Sequence, residues 1–490
     1  MTAPQGWDYA ELEHLTTKIG SGATPKGGRD SYGNTGTPLI RSLNVHFGGF
    51  RVDGIAFLDA AQARALENVE VQADDVLLNI TGASIGRVSL APAEMAGARV
   101  NQHVCIIRTN EGVLPAYVER FLASPDTQSF ISSENYGLTR QALTKGMIEK
   151  IRVPVPPLAE QHRIVAKLDA LASCLSHARA ELNQAPRLGS RLQLAVLRSG
   201  VSGDLTVDWR STAMDVMSVE YLLRNIPAPQ QGRGGREATD KLIPGVAGLA
   251  INDPGTTLPN RWKWVPLLRV ARQETGHTPS RSKPSYWDGG VPWIGIRDAG
   301  ANHGRYIEQT AQTISDAGLA NSSARLLPAG TVCLSRTASV GYVTIMARSM
   351  ATSQDFATWT CTEALLPEYL MYALMAEGED IRRFGMGSTH TTIYFPEIRA
   401  LHIALPPVEE QKEIVARIKD AFVRADRLAA EASRARALLD RLESAILAKT
   451  FRGELVPQNP NDEPASILLE RIRARHKVAS KPKGRVRVAI

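Results

Sequence analysis

The chain has 490 residues, a formal net charge of +7, and 43% hydrophobic against 22% charged residues. That length gives roughly three or four structural units, each able to bury a core, and the composition is that of a soluble globular protein. No apolar run approaches the ~18 residues that span a bilayer, no leader pattern opens the chain, and the modest positive charge permits a polyanionic partner without demanding one. Cys105, Cys174, Cys333 and Cys361 form no CxxC pair, which argues against a disulfide framework or a thiolate zinc site and for a reducing, cytoplasmic compartment. Cys174 falls in a helical stretch and is expected to be buried.

Over residues 1–157, short β-branched and apolar runs such as 75–80 and 104–107 alternate with Gly, Pro and Asn breaks, and a helix is predicted from Ala116 to Ala123. This is the pattern of a mixed α+β unit. Pro156-Pro157-Leu158-Ala159-Glu160-Gln161 then opens a long helix, predicted over 158–205. The tandem prolines force an extended approach, and Glu160 meets the positive end of the helix dipole. Apolar residues or alanines step by four and three through Ile164, Leu168, Leu171, Leu175, Ala178, Leu182, Ala185, Leu192 and Val196, a heptad seam of about five heptads. Pro186 is expected to kink or split this helix, because an interior proline costs about 3 kcal/mol. Residues 206–259, rich in Pro, Gly and Gln beyond Ile226, read as a linker.

Residues 260–407 then repeat the first unit, and 408–455 repeat its helix. Pro406-Pro407-Val408-Glu409-Glu410-Gln411 opens the second helix, and its seam runs through Ile414, Ile418, Ala421, Ala425, Leu428, Ala432, Ala435, Leu442 and Ile446. Gly22-Ala23-Thr24-Pro25 returns as Gly276-His277-Thr278-Pro279, Ser84-Ile85-Gly86 as Ser339-Val340-Gly341, and Asn101-Gln102 as Ser353-Gln354. Both helices end at a glycine, Gly203 and Gly453. The expected fold is α+β: two tandem, pseudo-twofold-related domains separated by two long antiparallel coiled-coil helices. About 33 residues of helix at ~1.5 Å each make a ruler of about 50 Å. Leu428→Asp, placing a charge in the seam, is expected to impair solubility or assembly. Within the segment 456–490, the tail after Glu470 carries Arg471, Arg473, Arg475, Lys477, Lys481, Lys483, Arg485 and Arg487 and no acid, and reads as a solvated basic tail.

A GxxxxGK[ST] loop is missing around Gly20-Ser21-Gly22, and neither HExxH, GxSxG, a metal-spaced His/Asp/Glu cluster nor a methyltransferase motif occurs in the sequence, which favours binding over catalysis. Three pairs of polar loops suit the reading of bases. Arg41 and Asn44, and Arg297 and Asp298, each follow an apolar strand; Arg can fork onto guanine, Asn onto adenine, and Asp accepts from cytosine. Thr81, Ser84 and Arg87, with Arg336, Thr337 and Tyr342, form Gly-flanked loops that can approach phosphates closely. Arg140 and Gln141, with Thr389, His390 and Thr391, form the third pair. The plain alternative for all of them is a surface residue at a strand end. A single-chain DNA-modifying or cleaving enzyme and a coiled-coil protein scaffold are the competing functions.

The Gly-x-Thr-Pro segments at Gly22 and Gly276, the Ser-x-Gly loops at Ser84 and Ser339, the two Pro-Pro helix starts and Leu447-Ala448-Lys449-Thr450-Phe451-Arg452-Gly453-Glu454-Leu455 together resemble the specificity (S) subunits of type I restriction–modification enzymes. The likeness runs from about Trp7 to about Leu469 and is weaker at Val201, where the second copy has Phe451. It implies a non-catalytic reader of double-stranded DNA whose two target recognition domains each read half of a split sequence. The helices would dock two methyltransferase (M) subunits, through which restriction (R) subunits join. Cofactors would lie outside this chain, adenosylmethionine in M and ATP with magnesium in R.

Overall fold

The computed structural model describes residues 4–25, 32–134, 142–213, 216–232, 237–337, 339–386 and 391–479. The chain divides into two compact units, Met1–Leu182 with Ser433–Ile490, and Asn183–Ala432. Each unit therefore combines one α+β body with a part of each long helix.

In the first unit, the strand Val76–Asn79 is buried at every position, so both of its faces are covered. It lies in a four-stranded antiparallel sheet ordered Thr16–Ser21, Val104–Thr109, Val76–Asn79, Val88–Leu90. A second sheet, ordered Ala56–Leu58, Thr37–Ile40, Arg99–Val100, includes one parallel pair, with Leu39 opposite Arg99. The helix Pro115–Leu122 starts with proline in its first turn, where no N–H is needed. Its Tyr117 is buried, and the hydroxyl donates to the Pro154 carbonyl at 2.7 Å. Phe451 meets Tyr117 and Phe121 edge-on at 5.6 and 5.3 Å.

The second unit repeats this plan. Its main sheet runs Ala271–Thr275, Phe356–Cys361, Val332–Ser335, Val343–Met346, Tyr306–Ile307, and its smaller sheet runs Gln312–Ile314, Trp287–Ile294, Ala351–Thr352. The parallel pair recurs, with Trp293 opposite Ala351. Tyr369 on the helix Pro367–Glu377 takes the part of Tyr117, donating to the Ala404 carbonyl at 2.7 Å.

The long helices span Leu158–Ser202 and Val408–Phe451. Their starts are locked by buried glutamines. The Gln161 amide accepts from Leu114 N–H at 2.9 Å and donates to the Gly112 and Pro156 carbonyls. Gln411 does the same with Leu366, Ala364 and Pro406. Both helices stop where a glycine takes the left-handed conformation, Gly203 at φ 86° and Gly453 at φ 73°. Within the first unit, Ile164 and Leu168 share a core with Ile446, Leu447 and Phe451, and Arg179 reaches Asp440 at 2.7 Å and Glu443 at 2.6 Å. Within the second, Leu197 and Val201 share a core with Ile414, Val415 and Ile418. In both units, the beginning of one helix therefore lies beside the end of the other, which makes the pair antiparallel.

Four sequence expectations change. First, the helix passes through Pro186 without a break. Pro186 is exposed, so water can take up the carbonyl it leaves unpaired. Second, residues 206–259 are not a free linker. Leu249–Ile251 pairs with Leu401–Leu405 in the second unit, and the helix Val219–Asn225 buries Val219 in its core. Third, the basic segment begins as a helix, Ala465–Ala479, with Ala465, Leu468, Leu469 and Ile472 in the core of the first unit. Those four positions repeat the spacing of Val219, Leu222, Leu223 and Ile226, which pack on the second unit's core, so the duplication extends beyond the long helices. Fourth, Cys174 is exposed.

The seam also turns out of register in its middle. Ile164, Leu168, Leu175, Ile414 and Ile418 are buried, and Leu171, Leu182, Val196 and Ile446 are partly so. Leu192, Leu428 and Leu442, however, are 47%, 60% and 49% exposed. A straight helix drifts ~20° per heptad from a 3.5-residue repeat. The predicted Ala425 and Ala432 stay inward, and Ala429 and Leu439 turn inward where Leu428 and Leu442 were expected. Leu428→Asp should therefore leave the melting temperature of the chain unchanged, whereas Ile418→Asp, at a fully buried position, should cost on the order of 4 kcal/mol. Thermal denaturation followed by circular dichroism compares the two.

Candidate nucleic-acid interface

The Gly-x-Thr-Pro segment forms the floor of each site. At Gly22 an added Cβ would lie 1.7 Å from the Val100 carbonyl oxygen, and at Gly276 it would lie 2.0 Å from that of Thr352. Only glycine lets the backbone pass this close. Two residues on, Thr24 donates to the Gln102 side-chain carbonyl, and Thr278 donates to that of Gln354 at 2.5 Å.

In the first unit, Gln102 Nε2 meets His103 Nε2 at 3.1 Å, and His103 Nδ1 meets the Thr81 hydroxyl. Thr24, Gln102, His103 and Thr81 thus form one polar chain. Beside Thr81 on the same loop, Ser84 is half-buried, and Arg87 Nη1 lies 3.5 Å from His46 Nδ1, while His46 Nε2 meets the Leu43 carbonyl at 2.8 Å. Asn79 joins this loop to the neighbouring one through a 2.9 Å bond to the Ser42 carbonyl.

Asn44 is turned into the fold. It is fully buried, donates to the Arg51 and Asp53 carbonyls at 2.9 and 3.2 Å, and accepts from Arg41 N–H at 3.0 Å. Arg41 is likewise drawn into the fold, donating to the Gly54 carbonyl and lying 5.5 Å from the Tyr32 ring centre.

The second unit uses the same scaffold with other side chains. Thr337 donates to Asp355 Oδ1 at 2.6 Å, and Ser353 donates to Asp355 Oδ2 at 2.9 Å, so Asp355 holds the place of His103. Asp298 caps its turn as Asn44 does, accepting from Gly295 N–H at 2.9 Å and from Ala311 N–H at 2.8 Å. Both of its oxygens are therefore engaged by backbone, and it too positions the loop. This matched cap aligns Arg41 with Gly295 and Leu43 with Arg297, so the two arginines are not equivalent. Arg297 is exposed. It lines a groove of about 530 Å³ with Arg281, Trp293, Gln312 and Asp355, and the Arg281 guanidinium stacks 4.9 Å from the Trp287 ring centre.

Arg336 is held inward over Phe395 at 4.4 Å and donates to the Gln354 carbonyl at 3.0 Å; burial lowers its pKa from the ordinary guanidinium value. Tyr342 stands where the first unit has Arg87. It is 37% exposed and edge-on to His303 at 6.0 Å, and burial holds the His303 imidazole below its usual pKa. Thr391 is half-buried. Arg140, Gln141, Thr389 and His390 lie outside the described residues.

Sequence reasoning missed Thr24, Gln102, His103, Thr278 and Asp355. Their signal was the return of Gln102 as Gln354 beside a matched Thr, which had been used only to align the copies. Among the described residues, Glu11, Glu13 and His14 are close enough to share a cation, but His14 and Glu13 pair with each other at 3.7 Å.

One scaffold present twice, with different polar side chains in the same places, defines a duplicated recognition protein. The family model described as the type I restriction modification DNA specificity domain matches residues 4–187 and again 259–430. The chain belongs to that family and is a specificity subunit of a type I restriction–modification system. It is 26% identical to the StySPI specificity subunit of Salmonella potsdam, with 97% of this chain and 96% of that one covered. It is 24% identical to the EcoKI specificity subunit of Escherichia coli K12, with 96% of each covered. The fold matches the crystal structure of the HsdS subunit from Thermoanaerobacter tengcongensis with a TM-score of 0.60 at 21% identity, covering 93% of this chain and 99% of that one. A chain from a study of complex assembly and conformational transition in the type I system gives 0.62 at 21% identity, covering 93% and 100%.

Proposed function

We propose that this chain is the non-catalytic reader of its enzyme, each unit recognising one half of a bipartite sequence in double-stranded DNA. The observation that carries this reading is the substitution of chemistry on a constant frame: His103 against Asp355, Arg87 against Tyr342 and Leu43 against Arg297, between loops held by the same glycine, threonine and glutamine contacts. Such a surface presents two different hydrogen-bonding patterns. The long helices dock two methyltransferase (M) subunits, and restriction (R) subunits join through these. Adenosylmethionine is bound by M, and ATP with magnesium by R, in the cytoplasm.

The test is methyl transfer by the purified chain alone and with its M proteins. Transfer to a split motif only in the complex supports the reading. Transfer by the chain alone would make it an enzyme, and a complex that does not bind DNA would make it a protein scaffold. In the active complex, Arg297→Ala distinguishes two contacts. Loss of a guanine contact costs ~1–3 kcal/mol at one base position, whereas loss of a phosphate contact weakens binding to all sequences and lowers the salt slope by about one.

A further inference from the structure

We infer that His103 and Asp355 set opposite hydrogen-bonding polarity on two equivalent threonine hydroxyls, so that Thr81 donates to the DNA and Thr337 accepts from it. This rests on the reading of the two units as recognition heads and adds the chemistry by which they differ.

In the first unit the Gln102 carbonyl accepts from Thr24, so it is the amide nitrogen that faces His103 Nε2 at 3.1 Å. An amide nitrogen only donates, so Nε2 must accept, and the ring hydrogen sits on Nδ1. Nδ1 then donates to Thr81 Oγ1. With one lone pair taken by that bond, the Thr81 hydroxyl still has its own hydrogen to give. In the second unit the partner is a carboxylate oxygen, which only accepts. The Thr337 hydrogen is committed to Asp355 Oδ1 at 2.6 Å, and the hydroxyl offers lone pairs. Gln354 repeats the orientation of Gln102 against Thr278, so the difference lies in the one residue exchanged. Both threonines are half-buried and still accessible.

In the major groove a donor suits the edge atoms O6 and N7 of guanine, N7 of adenine or O4 of thymine, and an acceptor suits the amino groups of adenine or cytosine. Thr81 therefore has a hydrogen to give to a base edge that accepts, whereas Thr337 can only accept from an edge that donates.

The test uses the full chain assembled with its M proteins, with methylation rates measured on duplexes varied one base pair at a time. Thr81→Val should lose about tenfold discrimination at one position of one half-site and leave the other half-site as it was. Gln102→Glu places acceptors against His103 Nε2, moves the ring hydrogen there, and so turns Nδ1 into an acceptor of the Thr81 hydrogen. It should reverse the preference at that same position, as should His103→Asp. Asp355→His should make the reciprocal change in the other half-site. Gln102 is exposed, so its variant keeps the inference testable if the His103 variant does not fold. Unchanged base preference in Thr81→Val and Gln102→Glu, in a complex that still methylates its split motif, would overturn the inference. Absence of a split motif for the wild-type complex would instead overturn the reading beneath it.

Discussion

Gly276→Ala is expected to unfold the head that carries it, and Gly22→Ala to do the same in the other. The added methyl carbon would lie 2.0 Å from the Thr352 carbonyl oxygen at Gly276, and 1.7 Å from that of Val100 at Gly22. Neither neighbour is a side chain that could turn aside. Thr352 and Val100 belong to the paired segments Ala351–Thr352 and Arg99–Val100, so relief requires moving a strand. The expected cost is about 3 kcal/mol. The displaced segment also carries the Thr–Gln contact, so base reading should fail together with stability. Limited proteolysis of the complex would show cleavage confined to one unit, and melting would show one early transition. Gly20→Ala, where an added Cβ meets nothing within 4 Å, is the matched control and should melt as the wild type.

Much of the fold was legible because its signals are repeated and sterically strict. The tandem prolines, the left-handed glycines 203 and 453 and the Gly-x-Thr-Pro segments each require particular residues, and each occurs twice. The middle of the seam was not legible. There, alanines occupy several successive turns, and alanine fits an inward or an outward place equally well, so the larger Leu428 and Leu442 drew the register away from where it lies. The C-terminal helix was hidden by its charge: Arg471, Arg473 and Arg475 dominate the composition, although Ala465, Leu468, Leu469 and Ile472 follow the helical spacing i, i+3, i+4, i+7. In the site, loops were legible as loops, but not the use of their side chains. Asn44 and Asp298 have the chemistry to read bases, yet the backbone groups of their own turns claim them first.

The two units are expected to read independently. Each has its own core and its own Thr–Gln contact, Thr24 with Gln102 and Thr278 with Gln354, so neither loop set is held by the other's side chains. Replacing residues 1–155 with the equivalent unit of a relative should leave Pro156-Pro157 and the buried Gln161 to seat the new head, because Gln161 binds main-chain groups that any such unit supplies. An insertion in the long helices should alter only the unread spacer. The decisive measurement is methylome sequencing of a host carrying the wild-type chain or the exchanged one with the same M subunits. The expected result is a bipartite motif in which one half changes entirely while the other half and the spacing persist. A change in both halves, or none in either, would contradict it.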